Sequence, residues 1–165
     1  MYRGVSAIDA GRALKFVHVA RGDDIGYGAL KPGASFTITC YTLSLGGSMA
    51  SMRWIKDSTA TSDKLWASAS GSPDDEFPHD IAMFPLVNID RPHVVHFLIS
   101  SYESVIKKMW LVAIDMNTRT VESFSQYLHG KEDLGTVDAD LTRRRSTCPL
   151  PFLPCELSKY LHPSW

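Results

Sequence analysis

The sequence lacks the long apolar run that a membrane-spanning helix requires. No segment approaches the ~20 consecutive apolar residues that cross a bilayer. The most apolar stretch, residues 83–100, is interrupted by Asp90, Arg91 and Pro92. The sequence also lacks a secretory signal with a charged start and an apolar core, and it has no Asn-X-Ser/Thr acceptor. We therefore expect an intracellular protein with no membrane partner.

Cysteine is scarce and odd in number, at Cys40, Cys148 and Cys155. Zinc knuckles need a tighter spacing than that of the last two cysteines and a second pair, which is missing. We expect no metal site and a reducing compartment, cytoplasmic or nuclear. The alternative is mitochondrial, because residues 1–22 carry four basic side chains against one acidic. The apolar alternation of residues 14–19 favours a loop leading into a strand instead.

A strong positive charge is also missing. The formal net charge is −1 and the pI is about 6.6, so no overall basic field exists to attract nucleic acid. The one basic cluster, residues 143–146, is interpreted as a salt-bridged surface, with a nuclear signal or a phosphorylation site at Ser146 as alternatives. We expect no nucleic-acid partner.

Catalytic motifs are absent as well. Residues 20–30 contain Arg-Gly-Asp and Gly-X-Gly, but not the third glycine of a dinucleotide fingerprint. His93 and His96 are three residues apart, so on a strand they point to opposite faces and cannot share a metal. Paired carboxylates fall in solvated loops. We predict no catalytic, cofactor-binding or metal-binding residues and no cofactor. An uncharacterised enzyme remains the alternative, and it would require a deep polar pocket.

What the sequence does contain is a series of strand patterns. A hydrophobic content of 44% in 165 residues suits one globular domain. β-Branched and aromatic residues alternate or run together, and Gly-rich or polar turns separate these segments. The predicted strands are "LKFVHV", "FTITCYTL", "MRWIKD", "FPLVNI", "HVVHFLIS", "KKMWLVAID" and "TVESFSQYL". Short helices are predicted at residues 62–69 and 154–162.

The strands form two similar sets, each an apolar strand followed by a hairpin that contains a tryptophan. This favours an all-β fold of antiparallel repeated units that resemble about two blades of a partial β-propeller. Residues 1–165 are then a single domain. Its parts are a first blade-like unit (1–58), a loop with a short helix (59–82), a second blade-like unit (83–128) and a loop-rich C-terminal tail (129–165).

The stretch from residue 83 to 100 is predicted to form two buried strands joined at Pro92, the end of one unit and the start of the next. Proline donates no hydrogen bond and therefore belongs between strands. The near-continuous apolar character fits a sheet that is covered on both faces. Exposed aromatic residues are typical interface anchors, and the candidates are Trp66, Tyr102, Tyr127 and Trp165.

Several segments together resemble a family. They are "SMRWIKDSTATSDKLWAS", "FPLVNIDRPHVVHFLIS", "KMWLVAIDMNTRTV" and "GKEDL". The pattern is similar to that of the plant domain of unknown function 1618, which is expanded in grasses, and the resemblance covers roughly residues 1–135. The family has no established catalytic residues, and its sequence pattern of strands and turns is similar to that of F-box-associated β-propellers. The resemblance implies a non-enzymatic protein–protein interaction module in a plant cell.

The chain departs from this family in length, since it looks like the C-terminal portion of longer members. Two units cannot close a propeller, which needs at least about four blades. Strand edges would then be open to another protein, or to a second copy of the chain, by strand pairing. One hypothesis is a shortened paralogue that sequesters a partner; another is a mitochondrially directed regulatory or toxic protein.

Overall fold

Two four-stranded antiparallel sheets and one helix make up the described part of the computed structural model. The structure describes residues 2–25, 29–46, 52–69, 79–102 and 106–128, without the side chains of residues 101, 102, 106–108, 127 and 128. The first sheet contains β1 (Tyr2–Ile8), β2 (Ala13–Arg21), β3 (Phe36–Ser44) and β4 (Ile55–Thr61). After helix α1 (Ser62–Ala69), the second sheet contains β5 (Met83–Val87), β6 (Val94–Tyr102), β7 (Ile106–Asp115) and β8 (Thr120–Leu128).

The predicted all-β class is confirmed. Each sheet is a meander in which every strand pairs with the next one along the chain, and this arrangement is compatible with two propeller-like units. The predicted helix at 62–69 is present as α1, and the polar turn before β8 is present at residues 116–119. The second predicted helix lies outside the described residues.

The prediction of a loop before the strand at residue 14 is wrong. Residues 2–8 form β1, which pairs with β2 from Tyr2↔Val19 to Ile8↔Ala13. The turn between them closes with a hydrogen bond from the Arg12 amide to the Asp9 carbonyl (3.0 Å). Its central residues, Ala10 and Gly11, both have positive φ, as the type I′ turns that suit hairpin twist require.

Pro92 lies between β5 and β6, as predicted. The expectation that this turn separates two units is wrong, because β5 pairs with β6 in the second sheet. The turn is held by the Asn88 side chain, which accepts hydrogen bonds from the amides of Asp90 and Arg91 (both 3.0 Å). A short polar side chain thus accepts hydrogen bonds from the backbone amides of the turn that precedes Pro92, as Asn commonly does.

One hydrophobic core lies between the two sheets. Burial alternates along residues 13–20 of β2 and residues 36–41 of β3, so that every second side chain faces the core, as the period of two in a strand dictates. Core residues of the first sheet include Val17, Val19, Phe36 and Ile38, and they pack with residues of the second sheet such as Phe97. β6 is buried along both faces from residue 97 to 100, which confirms the prediction for an apolar run of this kind.

Helix α1 connects the sheets through two serine hydroxyls. Ser62 Oγ accepts a hydrogen bond from the Phe36 amide at the start of β3 (3.2 Å). Ser68 Oγ accepts one from the Val121 amide on β8 (3.2 Å). The helix therefore lies against the free side of β8, and its hydroxyls satisfy amides that would otherwise be unpaired. Within the described ranges, no helix is long and apolar enough to cross a membrane.

Candidate functional site

The face of the first sheet that points away from the core carries a cluster of aromatic side chains. We call it the outer face and define it by Val5, Phe16, His18, Tyr41 and Trp54. The register pairs Val5 with Phe16 and Phe16 with Tyr41, so these three side chains form one row across three strands. Directly opposed side chains on an antiparallel sheet are within contact distance. Sequence alternation therefore builds this row from residues that are far apart in the chain.

Trp54 extends the row at the entrance to β4. Its ring lies 5.9 Å from that of Phe16, which in turn lies 6.0 Å from Tyr41. Trp54 is 45% exposed and Val5 is 59% exposed, whereas Phe16 and Tyr41 are half-buried. Large apolar side chains grouped on a surface mark sites of association more often than isolated ones do. The outer face is therefore the candidate binding surface of the chain.

The neighbouring residue Ile55 faces the other way. It is 55% exposed, but the register pairs it with Thr42, which in turn pairs with Lys15. Lys15 belongs to the buried alternation of β2. Trp54 and Ile55 are thus adjacent exposed apolar residues on opposite sides of one sheet, and they provide a matched pair for experiments.

The charged side chains of the outer face are basic. The register places Arg3 opposite His18 and Lys56 opposite Tyr41. At the β1–β4 positions that share this face no acidic residue occurs. In the part of the chain that the structure describes, Lys56 forms no ion pair with an acidic side chain. The face therefore combines aromatic surface with a positive rim.

A polar row lies beside the aromatic row. His18 pairs with Thr39, and Thr39 pairs with Thr59. The Nε2 atom of His18 and the Oγ1 atom of Thr59 are both buried, and neither has a hydrogen-bond partner within the described residues. Burial lowers the pKa of His18, and the positive charge of Arg3 lowers it further. His18 is thus kept neutral against the ring of Phe16, 6.3 Å away.

On the core side, a buried lysine is balanced by an aspartate. The Nζ atom of Lys15 donates to Asp57 Oδ2 (2.9 Å), and the Thr42 hydroxyl donates to the same oxygen (2.7 Å). Cys40 lies nearby, hydrogen-bonded to Ser58, and its burial raises the pKa of the thiol. A raised thiol pKa disfavours the nucleophilic thiolate. This cluster consequently satisfies a buried charge and does not resemble an activated nucleophile.

The Arg-Gly-Asp motif is a structural element. The Arg21 guanidinium donates to both carboxylate oxygens of Asp23 (2.8 and 2.7 Å), and both side chains are almost completely buried. The same carboxylate accepts the amides of Ile25 and Lys31. These hydrogen bonds, that from Arg21 foremost, hold the pKa of Asp23 well below its usual range. Because its Arg and Asp bind each other, the motif is not presented for recognition in this structure.

Of the four predicted interface residues, Trp66 is the one whose side chain the structure describes. Trp66 is only 8% exposed, so its prediction as an exposed anchor is wrong; it packs against Phe36 and stacks on His79. The helix places it on the face that points into the core. Tyr102 and Tyr127 lie on β6 and β8, where the side chains are not described, and Trp165 lies outside the described residues.

The structure describes the predicted histidine pair but not the basic cluster. His93 precedes β6 and His96 lies within it. Within the described residues, no group of three or more His, Cys, Asp or Glu side chains could hold a metal ion. Residues 143–146, Cys148 and Cys155 lie outside the part that the structure describes.

Sequence reasoning missed the outer face because it assigned Phe16 and Tyr41 to strands without deciding which face would be covered. A partial signal is present in β3, where Tyr41 shares the more polar half of the alternation with Thr37 and Thr39. In β2 the half that contains Phe16 is no more polar than the other half, so this strand gives no such signal.

The comparison with family models gives one match. The model described as a protein of unknown function (DUF1618) matches residues 1–96, a range that includes the first sheet, α1, β5 and the start of β6. No curated protein and no solved structure matches the chain. Because the match spans more than half of the sequence, the chain belongs to the DUF1618 family.

Proposed function

We propose that this chain is a non-enzymatic protein–protein interaction module that binds its partner through the outer face of the first sheet. The observation that carries the proposal is the exposed aromatic row formed by Trp54, Phe16 and Tyr41, with Val5 at its end. Trp, Tyr and Arg are the residues that most often dominate binding energies at interfaces. All three types are present on or beside this face.

The strand edges are less suited to binding than the face. β5 contains Pro85, which cannot donate to a partner strand. On β8, the Val121 amide already donates to Ser68 on α1. The first half of β4 is exposed, but it presents Lys56 and Asp57, and charges of this kind discourage edge pairing. These observations favour docking on the outer face over strand addition.

The blade-like arrangement of the strands also supports the outer face as the binding surface. We propose that the two meanders are consecutive units of a propeller-like assembly, in which the outer face occupies the position where a further unit would pack. In the cytoplasm or nucleus of a plant cell, this face would then be available to a partner protein. Sequestration of a partner that a longer relative also binds is the corresponding hypothesis for the biological role.

Site-specific photo-crosslinking tests the proposal in cells. A benzophenone amino acid replaces Tyr41 on the outer face in one variant and Thr118, in the exposed turn before β8, in a control variant. A protein crosslinked from Tyr41 alone is identified by mass spectrometry, purified and titrated calorimetrically against the chain. We expect Trp54→Ala to weaken its binding at least about tenfold and Ile55→Ala to leave it unchanged. Equal crosslinking at both positions, or equal effects of the two substitutions, would contradict the proposal.

A further inference from the structure

The charge of the outer face restricts which partner the proposed surface accepts. Lys56 is exposed, and the strand register places it next to Tyr41 on the outer face. Arg3 adds a second basic residue at the other end of the face, opposite His18. The acidic residue nearest in sequence points elsewhere, since Asp57 binds Lys15 on the core side. Lys56 therefore lies on a surface whose own strand positions supply no carboxylate to balance its charge.

The aromatic rings are arranged to receive a side chain. The ring plane of Phe16 is inclined by 58° to that of Trp54 and by 32° to that of Tyr41. The three rings thus form an uneven apolar surface rather than a row of parallel plates. A flat nucleic-acid base stacks best on a ring whose whole face is open, whereas an aliphatic or aromatic side chain packs well among inclined rings. The near-neutral net charge of the chain also disfavours nucleic acid.

We infer that the outer face binds an acidic peptide segment, whose apolar or aromatic side chain packs against Trp54 and Phe16 while a carboxylate of the segment lies beside Lys56. This inference rests on the proposed function and adds to it the chemistry of the partner. Complementary charge at the rim of an aromatic anchor site sets specificity and association rate. The segment lies across the strands of the first sheet, and the sheet itself need not rearrange.

Selection from random linear peptides displayed on phage tests this inference. The immobilised wild-type chain is panned in the presence of an excess of soluble Trp54→Ala variant, so that only clones that depend on the outer face are retained. We expect the retained peptides to be rich in Asp and Glu around an apolar or aromatic residue. Their synthetic forms should bind more weakly as salt is raised, because exposed charges are screened.

A charge reversal with a matched control then locates the carboxylates. Lys56→Glu should weaken the binding of the selected peptides about three- to tenfold. Lys64→Glu changes a residue on the exposed side of α1 and should leave their binding unchanged. Circular dichroism melting curves confirm that both variants fold. Equal losses for the two variants would overturn the inference.

The outcomes separate this inference from the proposed function. Retained peptides that are neutral or basic would overturn the acidic partner and leave the outer face as the binding surface. If no clone distinguishes the wild-type chain from Trp54→Ala, both the acidic partner and the outer face as the binding surface would be overturned. Binding of a fluorescent oligothymidylate that is lost in Trp54→Ala would assign the face to single-stranded nucleic acid instead, and would likewise overturn the inference.

Discussion

Gly4 of β1 lies directly against the backbone of Pro85 in β5. A Cβ atom on Gly4 would be only 2.3 Å from the Pro85 carbonyl oxygen. The contact occurs at an irregularity of β5, where the register with β6 shifts between Met83 and Leu86 and Phe84 has a φ of 51°. A bulged edge strand thus approaches a glycine of the neighbouring sheet, and this contact sets how closely the two sheets pack.

The Gly4→Ala substitution should therefore destabilise the fold. The added methyl group has to displace backbone rather than a flexible side chain, so we expect a loss of about 1–3 kcal/mol in the free energy of unfolding. Gly46→Ala is the control, because nothing lies within 4 Å of a Cβ at that position. Urea denaturation of both variants measures the difference. Equal stability of the two would show that β1 and β5 are not in close contact.

The turn between β1 and β2 offers a change in the opposite direction. Ala10 has a φ of 52° and a ψ of 37°, a conformation that costs an ordinary residue roughly 1 kcal/mol and that Asn tolerates. Ala10→Asn should stabilise the chain by about 0.5–1 kcal/mol, and Ala10→Val should destabilise it by at least as much. Thermal melting distinguishes the two. A shift of the same sign in both variants would contradict the type I′ geometry.

Strand positions were predictable because alternation and turn chemistry are local. "TVESFSQYL" corresponds to β8 at both ends, since the polar turn before it and the alternation within it are both visible in the sequence. β1 was not predictable, because Arg3, Gly4 and Ser6 give it little β propensity. It exists through tertiary packing against β2 and β5. The outer face was missed for a related reason, since no local signal tells which face of a sheet a second sheet will cover.

Replacing Trp66 by alanine should destabilise the fold much more than replacing Trp54. Trp66 is buried, packs against Phe36 of the core and is stacked on the exposed His79, so Trp66→Ala should cost about 3–5 kcal/mol in the free energy of unfolding. Trp54→Ala removes a ring that is 45% exposed, and we expect a loss of about 1 kcal/mol or less. Denaturant titrations of both variants measure these losses. A greater loss from Trp54→Ala would place Trp54 in the core.

The Arg21–Asp23 pair should make the free energy of unfolding depend on pH in the acid range. The folded-state pKa of Asp23 lies below the 3.8 of an unperturbed aspartate, chiefly through its hydrogen bond from Arg21. Its stabilising contribution is therefore complete above that value and is lost as the pH falls below it. Asp23→Asn should be less stable than wild type at neutral pH, and the gap should narrow in acid.

Asp24→Asn is the matched control for that experiment. Asp24 is the exposed neighbour, and its positive φ of 58° is one that Asn also adopts. Denaturation at stepwise pH compares the two variants with wild type. If Asp24→Asn reproduces the pH-dependent gap of Asp23→Asn, then the buried ion pair is not its source.

His18 should give a second pH dependence, displaced toward neutrality. Burial and the charge of Arg3 lower its folded-state pKa below 6.5, the value of an unperturbed histidine, so the unfolded chain binds the proton more readily. Above 6.5 this group contributes no pH dependence, and below it the wild-type chain loses stability until the folded-state pKa is reached. His18→Gln should lack this loss, so the difference in free energy of unfolding between the two should shift in favour of the variant as the pH falls from neutral. Parallel curves for the two chains would mean that His18 is solvated and that the polar row of the outer face is open to water.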